Sequence, residues 1–310
     1  MKTNIKKYLL LLLRGMGMGA ADVIPGVSGG TIAFITGIYE ELIDSIKNIN
    51  LAAMRLLFTG RWKSLWKQVN GNFLLTVFGG VFISVLSLAK LLEYLLEHQP
   101  VLIWSFFFGL IVASSYVVSR KIPQWKYPIL VALVGGIGIA FYITSVTPAT
   151  TSDASWFVVL SGAMASCAMI LPGISGSFIL LLLGKYEFAL HAVNERIILD
   201  LILLGSGAVI GLVLFANLLS WLLKKHHDVT IAVLVGFMIG SLNKIWPWKE
   251  TLQTIIVKGD VKPLVEKNIM PALGNADDRV WMAILMAVIG IALIVLIELV
   301  LTKDSIKIKH

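Results

Sequence analysis

The sequence Pro25-Gly26-Val27-Ser28-Gly29-Gly30 interrupts an apolar stretch that extends from residue 8 to residue 43. Proline removes a backbone donor and clashes with the preceding helical turn, and glycine tolerates positive φ, so a regular helix is not expected to continue through this point. A second apolar stretch, residues 155–192, is broken in the same way by Pro172-Gly173-Ile174-Ser175-Gly176-Ser177. Each stretch is therefore predicted to form two half-helices joined by an irregular turn.

The two breaks belong to an internal repeat with a constant offset of 147 residues, from 25 to 172. In both copies Pro-Gly-x-Ser-Gly is followed, eight residues after its last glycine, by Gly-x-Tyr-Glu, at 37–40 and at 184–187. Apolar composition raises the number of chance matches, but it does not place the same glycine and polar positions twice. The chain is therefore interpreted as two homologous halves, residues 1–150 and 151–310.

Composition predicts an integral membrane protein. The 310 residues are 57% hydrophobic and only 14% charged, whereas a soluble domain has about 25% charged residues. Beside the two broken stretches, six apolar runs approach or exceed the roughly 20 residues that cross a bilayer core. They lie at 72–96, 101–119, 127–147, 199–223, 229–246 and 280–301. The single cysteine, Cys167, rules out an intrachain disulfide.

The broken stretches, at about 5–45 and 155–192, are predicted to be re-entrant hairpins. The arms of the second hold about 16 residues each, or roughly 24 Å, which is short for a bilayer core of about 30 Å. Each half then has one hairpin and three spans, an odd number of crossings, so the second half must be inverted relative to the first. The predicted fold is all-α, with the inverted-repeat plan of many secondary transporters.

Loop charge predicts the orientation. The N-terminus, 44–71, 120–126, 224–228 and the C-terminal tail would share one side, with 16 lysines and arginines. The opposite side has Arg196 and six basic residues in the long segment 244–279, and long loops weigh less. Both termini are therefore expected in the cytoplasm. The net charge of +8 follows from this loop bias and does not indicate nucleic acid.

The two turns are the strongest candidates for a binding site. A Gly/Ser-rich turn that leads into a helix presents unpaired N–H groups and the positive end of the helix dipole, a combination that binds phosphate or carboxylate. The candidate residues are Ser28, Gly29, Gly30, Thr31, Ser175, Gly176 and Ser177. The alternative is that the glycines only permit a sharp, tightly packed turn.

Ionisable residues in apolar segments are costly and mark functional positions. Asp22, whose counterpart in the second copy is Met169, is predicted to carry an ion or to orient a basic partner. Arg14 and Lys90 are candidate phosphate ligands, although Arg14 would also suit snorkelling and Lys90 a pair with Glu93 one turn away. The repeated Glu40 and Glu187 are further candidates for coupling. The histidines have no metal-ligand spacing, and no cofactor is predicted.

The run from Arg14 to Thr31, RGMGMGAADVIPGVSGGT, resembles the signature of the bacterial polyprenyl-phosphate transporters of the PopT type. Residues 171–177, LPGISGS, resemble the second hairpin of that family. The resemblance covers the whole chain in length and layout. It implies a bacterial cytoplasmic-membrane flippase that returns undecaprenyl phosphate from the outer to the cytoplasmic leaflet, where this carrier lipid is reused for the cell envelope.

Two alternatives remain open at this stage. An integral-membrane polyprenyl-pyrophosphate phosphatase would need a nucleophile or base, acidic metal ligands and an arginine beside the phosphate turn, and neither turn contains Arg, His or Glu. A transporter for a small soluble anion would need a cavity sealed from lipid. Coupling to a proton or a sodium ion is suggested by Asp22 and the two glutamates. The expected partners are the lipid phosphate and the membrane.

Overall fold

A computed structural model describes residues 2–23, 27–257, 260–272 and 279–307. The described chain is mostly helical, and five of its helices are long and apolar enough to cross a membrane. The predicted multi-pass membrane protein is therefore confirmed. Pro25 and Gly26 of the first break lie outside the described residues.

The first half contains eight helices among the residues described. They are α1 (Lys2–Val23), α2 (Gly29–Ile35), α3 (Tyr39–Lys47), α4 (Leu51–Phe58), α5 (Trp62–Gln68), α6 (Gly71–His98), α7 (Pro100–Ser119) and α8 (Tyr127–Ser145). Helices α6, α7 and α8 match the predicted spans 72–96, 101–119 and 127–147 within a few residues. Helices α1 to α3 occupy the first broken stretch.

The second half repeats the order of the main helices, but it lacks counterparts of α4 and α5 and has two added strands. It contains α9 (Ser155–Ile170), α10 (Gly176–Leu182), α11 (Tyr186–Asn194), α12 (Ile198–Lys225), α13 (His227–Ser241), β1 (Lys249–Val257), β2 (Asp260–Asn268) and α14 (Val280–Lys307). Helices α12 and α14 match the predicted spans 199–223 and 280–301. The predicted span 229–246 is represented by α13, which has only 15 residues as a helix.

The second arm of each broken stretch is itself divided, which the predicted pair of half-helices did not include. Gly37 and Gly184 adopt φ of 73° and 63°, a left-handed conformation that ends α2 and α10. Helices α10 and α11 consequently meet at a bend of 109°. The repeated Gly-x-Tyr-Glu motif is therefore the signal for this second break, because its tyrosine begins α3 in one half and α11 in the other.

A two-stranded antiparallel hairpin between α13 and α14 departs from the expected all-α fold. Strand β1 pairs with β2 from Lys249 opposite Asn268 to Val257 opposite Asp260. The β-branched residues of TIIV, 254–257, favour a strand. From the sequence, the whole of 244–279 is counted as a long loop, and no strand is predicted there.

Glycines bring the long helices together in pairs. A Cβ atom on Gly15 of α1 would lie 2.2 Å from the Val77 carbonyl oxygen of α6. The second half repeats this contact, with the same 2.2 Å between a Cβ on Gly162 of α9 and the Leu204 carbonyl oxygen of α12. Such spacing leaves no room for a side chain, so the backbones touch directly. Close approach through small residues is a main source of helix association in membranes.

The remaining spans pair across the two halves. A Cβ on Gly109 of α7 would lie 2.0 Å from the Ala287 carbonyl oxygen of α14. A Cβ on Gly236 of α13 would lie 2.4 Å from the Leu133 carbonyl oxygen of α8. The two contacts correspond in the repeat, because α13 occupies the place of α7 and α14 the place of α8. The third span of each half thus packs on the second span of the other.

We predict that Gly136→Val destabilises the protein while Gly135→Val, one residue earlier on α8, does not. A Cβ on Gly136 would lie 2.6 Å from the Val233 carbonyl oxygen of α13, whereas one on Gly135 meets nothing within 4 Å. Overpacking of this kind costs about 1–3 kcal/mol. Thermal unfolding in detergent measures the difference, and equal midpoints for the two variants would contradict the packing described.

Candidate functional site

The two interrupted turns contact each other directly. The Ser28 hydroxyl of the first turn donates to the Met169 carbonyl at the end of α9, at 3.2 Å. The Gly173 N–H of the second turn donates to the Thr31 hydroxyl on α2, at 3.0 Å. A Cβ on Gly30 would lie 2.4 Å from the Ile170 carbonyl oxygen. Two segments that are 147 residues apart in sequence therefore form one structural unit.

The first turn is closed by its own chain. The Asp22 carboxylate, in the last turn of α1, accepts a hydrogen bond from the Gly29 N–H at 2.6 Å. The Ser28 hydroxyl accepts a second from the Gly30 N–H at 3.1 Å and so caps α2. Ser28 and Thr31 are fully buried. The predicted anion-binding donors of this turn already have a carboxylate and a hydroxyl as partners.

The second turn is more open. Ser175 precedes α10 but makes no side-chain cap hydrogen bond, and its hydroxyl instead lies 2.7 Å from the Ser177 hydroxyl. Ser177 is exposed and Gly176 is partly exposed. The position that corresponds to Asp22 is occupied by Met169, whose thioether cannot replace a carboxylate. Among the residues that the structure describes, no carboxylate caps α10.

Gly173 of the second turn has a backbone conformation and a packing environment that require glycine. Gly173 has a φ of 90°, which L side chains rarely adopt. A Cβ at this position would lie 2.7 Å from the Ser241 hydroxyl and 3.0 Å from the Phe237 carbonyl oxygen on α13. The turn is therefore held against the end of α13 as well as against Thr31.

Tyr39 was not among the predicted site residues. It is almost completely buried, and its hydroxyl donates to the Ile170 carbonyl at 3.2 Å. Its ring packs edge-on against Phe34, with 4.8 Å between the ring centroids. The signal for it was the tyrosine of the repeated Gly-x-Tyr-Glu motif. In the structure this residue ties the second arm of the first broken stretch to the end of α9, beside the second turn.

The other predicted residues lie on α1, α3, α6 and α11. Arg14 is partly buried on α1, two helical turns before Asp22. Lys90 is exposed on α6, and the side chain of Glu93, its suggested partner, lies outside the described residues. Glu40 and Glu187 are exposed near the starts of α3 and α11, and a Glu40 oxygen lies 3.7 Å from the nearest His227 ring nitrogen. The described part of the chain has no cluster of three His, Cys, Asp or Glu side chains placed to hold a metal ion.

The fold and the site define a multi-pass helical membrane protein in which two interrupted helical segments meet within the helix assembly. The chain belongs to the VCA0040-like family, described as undecaprenyl phosphate translocase-like, and the family model matches residues 18–262. The resemblance seen in the sequence motifs is thereby confirmed.

Two curated relatives share most of the chain. A polyprenyl-phosphate transporter of Vibrio cholerae serotype O1 is 45% identical over 296 residues, which are 94% of this chain and 96% of the relative. A polyprenyl-phosphate transporter of Staphylococcus aureus is 33% identical over 260 residues, which are 76% of this chain and 85% of the relative. No solved structure matches the chain significantly.

We predict that Thr31→Val lowers stability more than Thr36→Val does. Both changes replace a buried hydroxyl by a methyl group, but only the first leaves a backbone N–H, that of Gly173, without its acceptor. The Ile32 carbonyl that accepts from the Thr36 hydroxyl keeps a bond from the Thr36 N–H. An unsatisfied buried donor costs about 1–3 kcal/mol. If thermal unfolding in detergent gave equal losses for both variants, the contact between the turns would not be stabilising.

Proposed function

We propose that this chain transports a polyprenyl monophosphate across the bacterial cytoplasmic membrane. The family description and the names of both relatives support this substrate. The observation that carries the site is the uncapped second turn, with the partly exposed Gly176 and the exposed Ser177 at the start of α10. A lipid phosphate needs polar groups inside the membrane while its chain remains in lipid, and this turn would supply them.

We also propose that the two halves are inverted repeats, each with a re-entrant hairpin. Gly15 of α1 packs against Val77 of α6, and Gly19 packs against Val81. Because the residue numbers of the contacting positions increase in the same direction on both helices, α1 and α6 run parallel. The chain between them would then return to the side on which α1 began, as a re-entrant hairpin does. Contacts between α9 and α12 advance in the same way, which supports the same arrangement for the second hairpin.

Inversion is supported by the direction of α8 against α13. Gly236 packs on the Leu133 carbonyl and Gly240 on the Ile137 carbonyl, so these helices also run parallel. If successive spans alternate in direction, α8 runs like α6, and α13 runs opposite to α12. Helix α12 then runs opposite to α6, its counterpart in the first half. This arrangement would place both termini on one side, which the basic loops assign to the cytoplasm.

In the proposed mechanism the two turns have different tasks. The second turn binds the phosphate through Ser175, Gly176 and Ser177. The first turn, with Ser28, Gly29, Gly30 and Thr31, holds the Asp22 carboxylate in place of a ligand. A phosphate that displaced Asp22 would pass from the second turn to the first without losing its helix-terminal donors.

Charge along the path would come from the remaining predicted residues. Arg14 and Lys90 would offset the phosphate charge, and Asp22, Glu40 and Glu187 would couple its movement to a proton or a sodium ion. We propose that net transport runs from the outer to the cytoplasmic leaflet, so that the carrier lipid returns for cell-envelope synthesis. No chemical step on the phosphate is part of this mechanism.

We predict that purified protein in liposomes equilibrates a fluorescent polyprenyl monophosphate between leaflets, and that Ser177→Ala slows this movement. Loss of a hydrogen bond to a charged group costs about 1.5–3 kcal/mol, so the rate should fall roughly tenfold or more. Ser206→Ala is the matched control, because Ser206 is exposed on α12 and its hydroxyl bonds only within that helix. Accessibility of the probe to an impermeant quencher reports its leaflet.

The same liposomes separate transport from the enzymatic alternative. No inorganic phosphate should appear during the assay, either from the monophosphate or from the corresponding pyrophosphate. Movement equal to that in protein-free liposomes would refute the proposed transport. Release of phosphate from the pyrophosphate would instead establish a phosphatase.

A further inference from the structure

A polar cavity of about 210 Å³ lies beside α10, on the side of the β-hairpin. It is bounded by the end of α8, by α10, by the residues after α13 and by the first and last residues of the two strands. The lining residues that matter here are Thr144, Phe178, Asn243, Lys244, Lys249 and Glu266. Its volume is many times the roughly 15 Å³ that a single water needs, so a hydrated phosphate group fits.

Two lysines in this cavity share one carboxylate. The Glu266 Oε2 atom lies 3.1 Å from the Lys244 Nζ atom and 3.3 Å from the Lys249 Nζ atom. The side chains are 19%, 19% and 8% exposed for Glu266, Lys244 and Lys249 respectively. Each lysine also faces an aromatic ring, with Lys244 Nζ 5.2 Å from the Phe178 centroid and Lys249 Nζ 4.4 Å from the Trp104 centroid. The cluster therefore has one positive charge in excess when all three groups are ionised.

The ionisation of these groups at neutral pH follows from their surroundings. Although burial opposes its charge, the two lysines lower the pKa of the Glu266 carboxyl below its usual value. Burial lowers the pKa of Lys249 to about 8, with Glu266 opposing this effect. Lys249 thus remains mostly protonated at pH 7. An anionic phosphate group would supply the negative charge that the cluster lacks.

The cavity is connected to the second turn through contacts around Ser241. Gly173 of that turn packs against Ser241 at the end of α13, and the Lys244 N–H donates to the Ser241 carbonyl at 2.9 Å. Phe178, which lies under the Lys244 ammonium group, comes directly after Ser177 in α10. A phosphate held by the two lysines would therefore lie along the side of the same short helix.

We propose that this cavity is a capture site for the phosphate-monoester headgroup of a lipid, before the headgroup reaches the second turn. The proposal rests on the transport function and on the side of the membrane assigned above, which places the β-hairpin outside the cytoplasm. Lys244 and Lys249 bind the phosphate oxygens, while Glu266 keeps the lysines together and is displaced in part by the ligand. The apolar chain of the lipid stays in the membrane beside α10.

The test measures binding of farnesyl monophosphate to the whole protein in phosphatidylcholine nanodiscs by calorimetry. The double variant Lys244→Gln, Lys249→Gln is expected to raise Kd roughly tenfold or more, because two charge-assisted hydrogen bonds are lost. Glu266→Gln is expected to lower Kd when binding is measured at pH 6, because it removes the competing carboxylate while the lower pH keeps Lys249 protonated without that carboxylate. Lys267→Gln is the matched control, because Lys267 is exposed on β2 and does not line the cavity.

The opposite signs expected for Glu266→Gln and for the double lysine variant separate binding from general damage to the hairpin. An unchanged Kd in both variants would overturn the capture site. Inorganic phosphate alone serves as a second probe, and equally tight, equally charge-dependent binding of it would show that the site takes free phosphate and not a lipid headgroup. If wild-type protein binds the probe as expected but fails to move a polyprenyl phosphate in liposomes, the transport function fails while the capture site stands.

Discussion

The central constraint on this protein is that the N–H and carbonyl groups of its irregular backbone need hydrogen-bond partners inside the membrane. Away from water, an unpaired N–H or carbonyl group costs several kcal/mol, so a broken helix is tolerated only where protein or a polar cavity supplies partners. Here the two breaks supply partners to each other: Ser28 binds the Met169 carbonyl, and Thr31 accepts from Gly173. The helix pairs around them can approach closely because glycines replace side chains at the crossings. The turns and the helix pairs therefore depend on one another.

One difference between the two copies, Asp22 in the first and Met169 in the second, makes the two turns unequal. Asp22 caps the first turn through the Gly29 N–H, whereas the corresponding Met169 leaves the second turn without a carboxylate. Two identical turns would both bind an anion or both be closed. Asp22 already places an internal anion at the first turn, and we propose that a phosphate binds at the second turn, which no side chain caps. This difference is the basis of the transfer that we propose between the turns.

The β-hairpin adds a basic region beside the second turn but not beside the first. Its strands place Lys249 and Glu266 opposite Lys244, which comes from the end of α13. The repeat has no β-hairpin at the corresponding place in the first half, where α7 and α8 are joined by residues 120–126. The two halves are therefore chemically different, although their helices are paired in the same way.

The sequence by itself determined the helical membrane class and the location of five spans, because apolar length is a local property that no tertiary contact can reverse. The paired Pro-Gly breaks led us to interpret the chain as a duplication. It also indicated that Asp22 breaks the symmetry of the repeat. It did not show that Asp22 binds Gly29, that Tyr39 joins the second turn, or that 249–268 forms a hairpin around shared charges. The Tyr39 contact and the shared charges join segments that are distant in sequence. The bond from Gly29 to Asp22 is one of several that the backbone N–H groups near Asp22 could have made. Only the tertiary structure decided them, because the free energy of a hydrogen bond or an ion pair depends on where its partner lies.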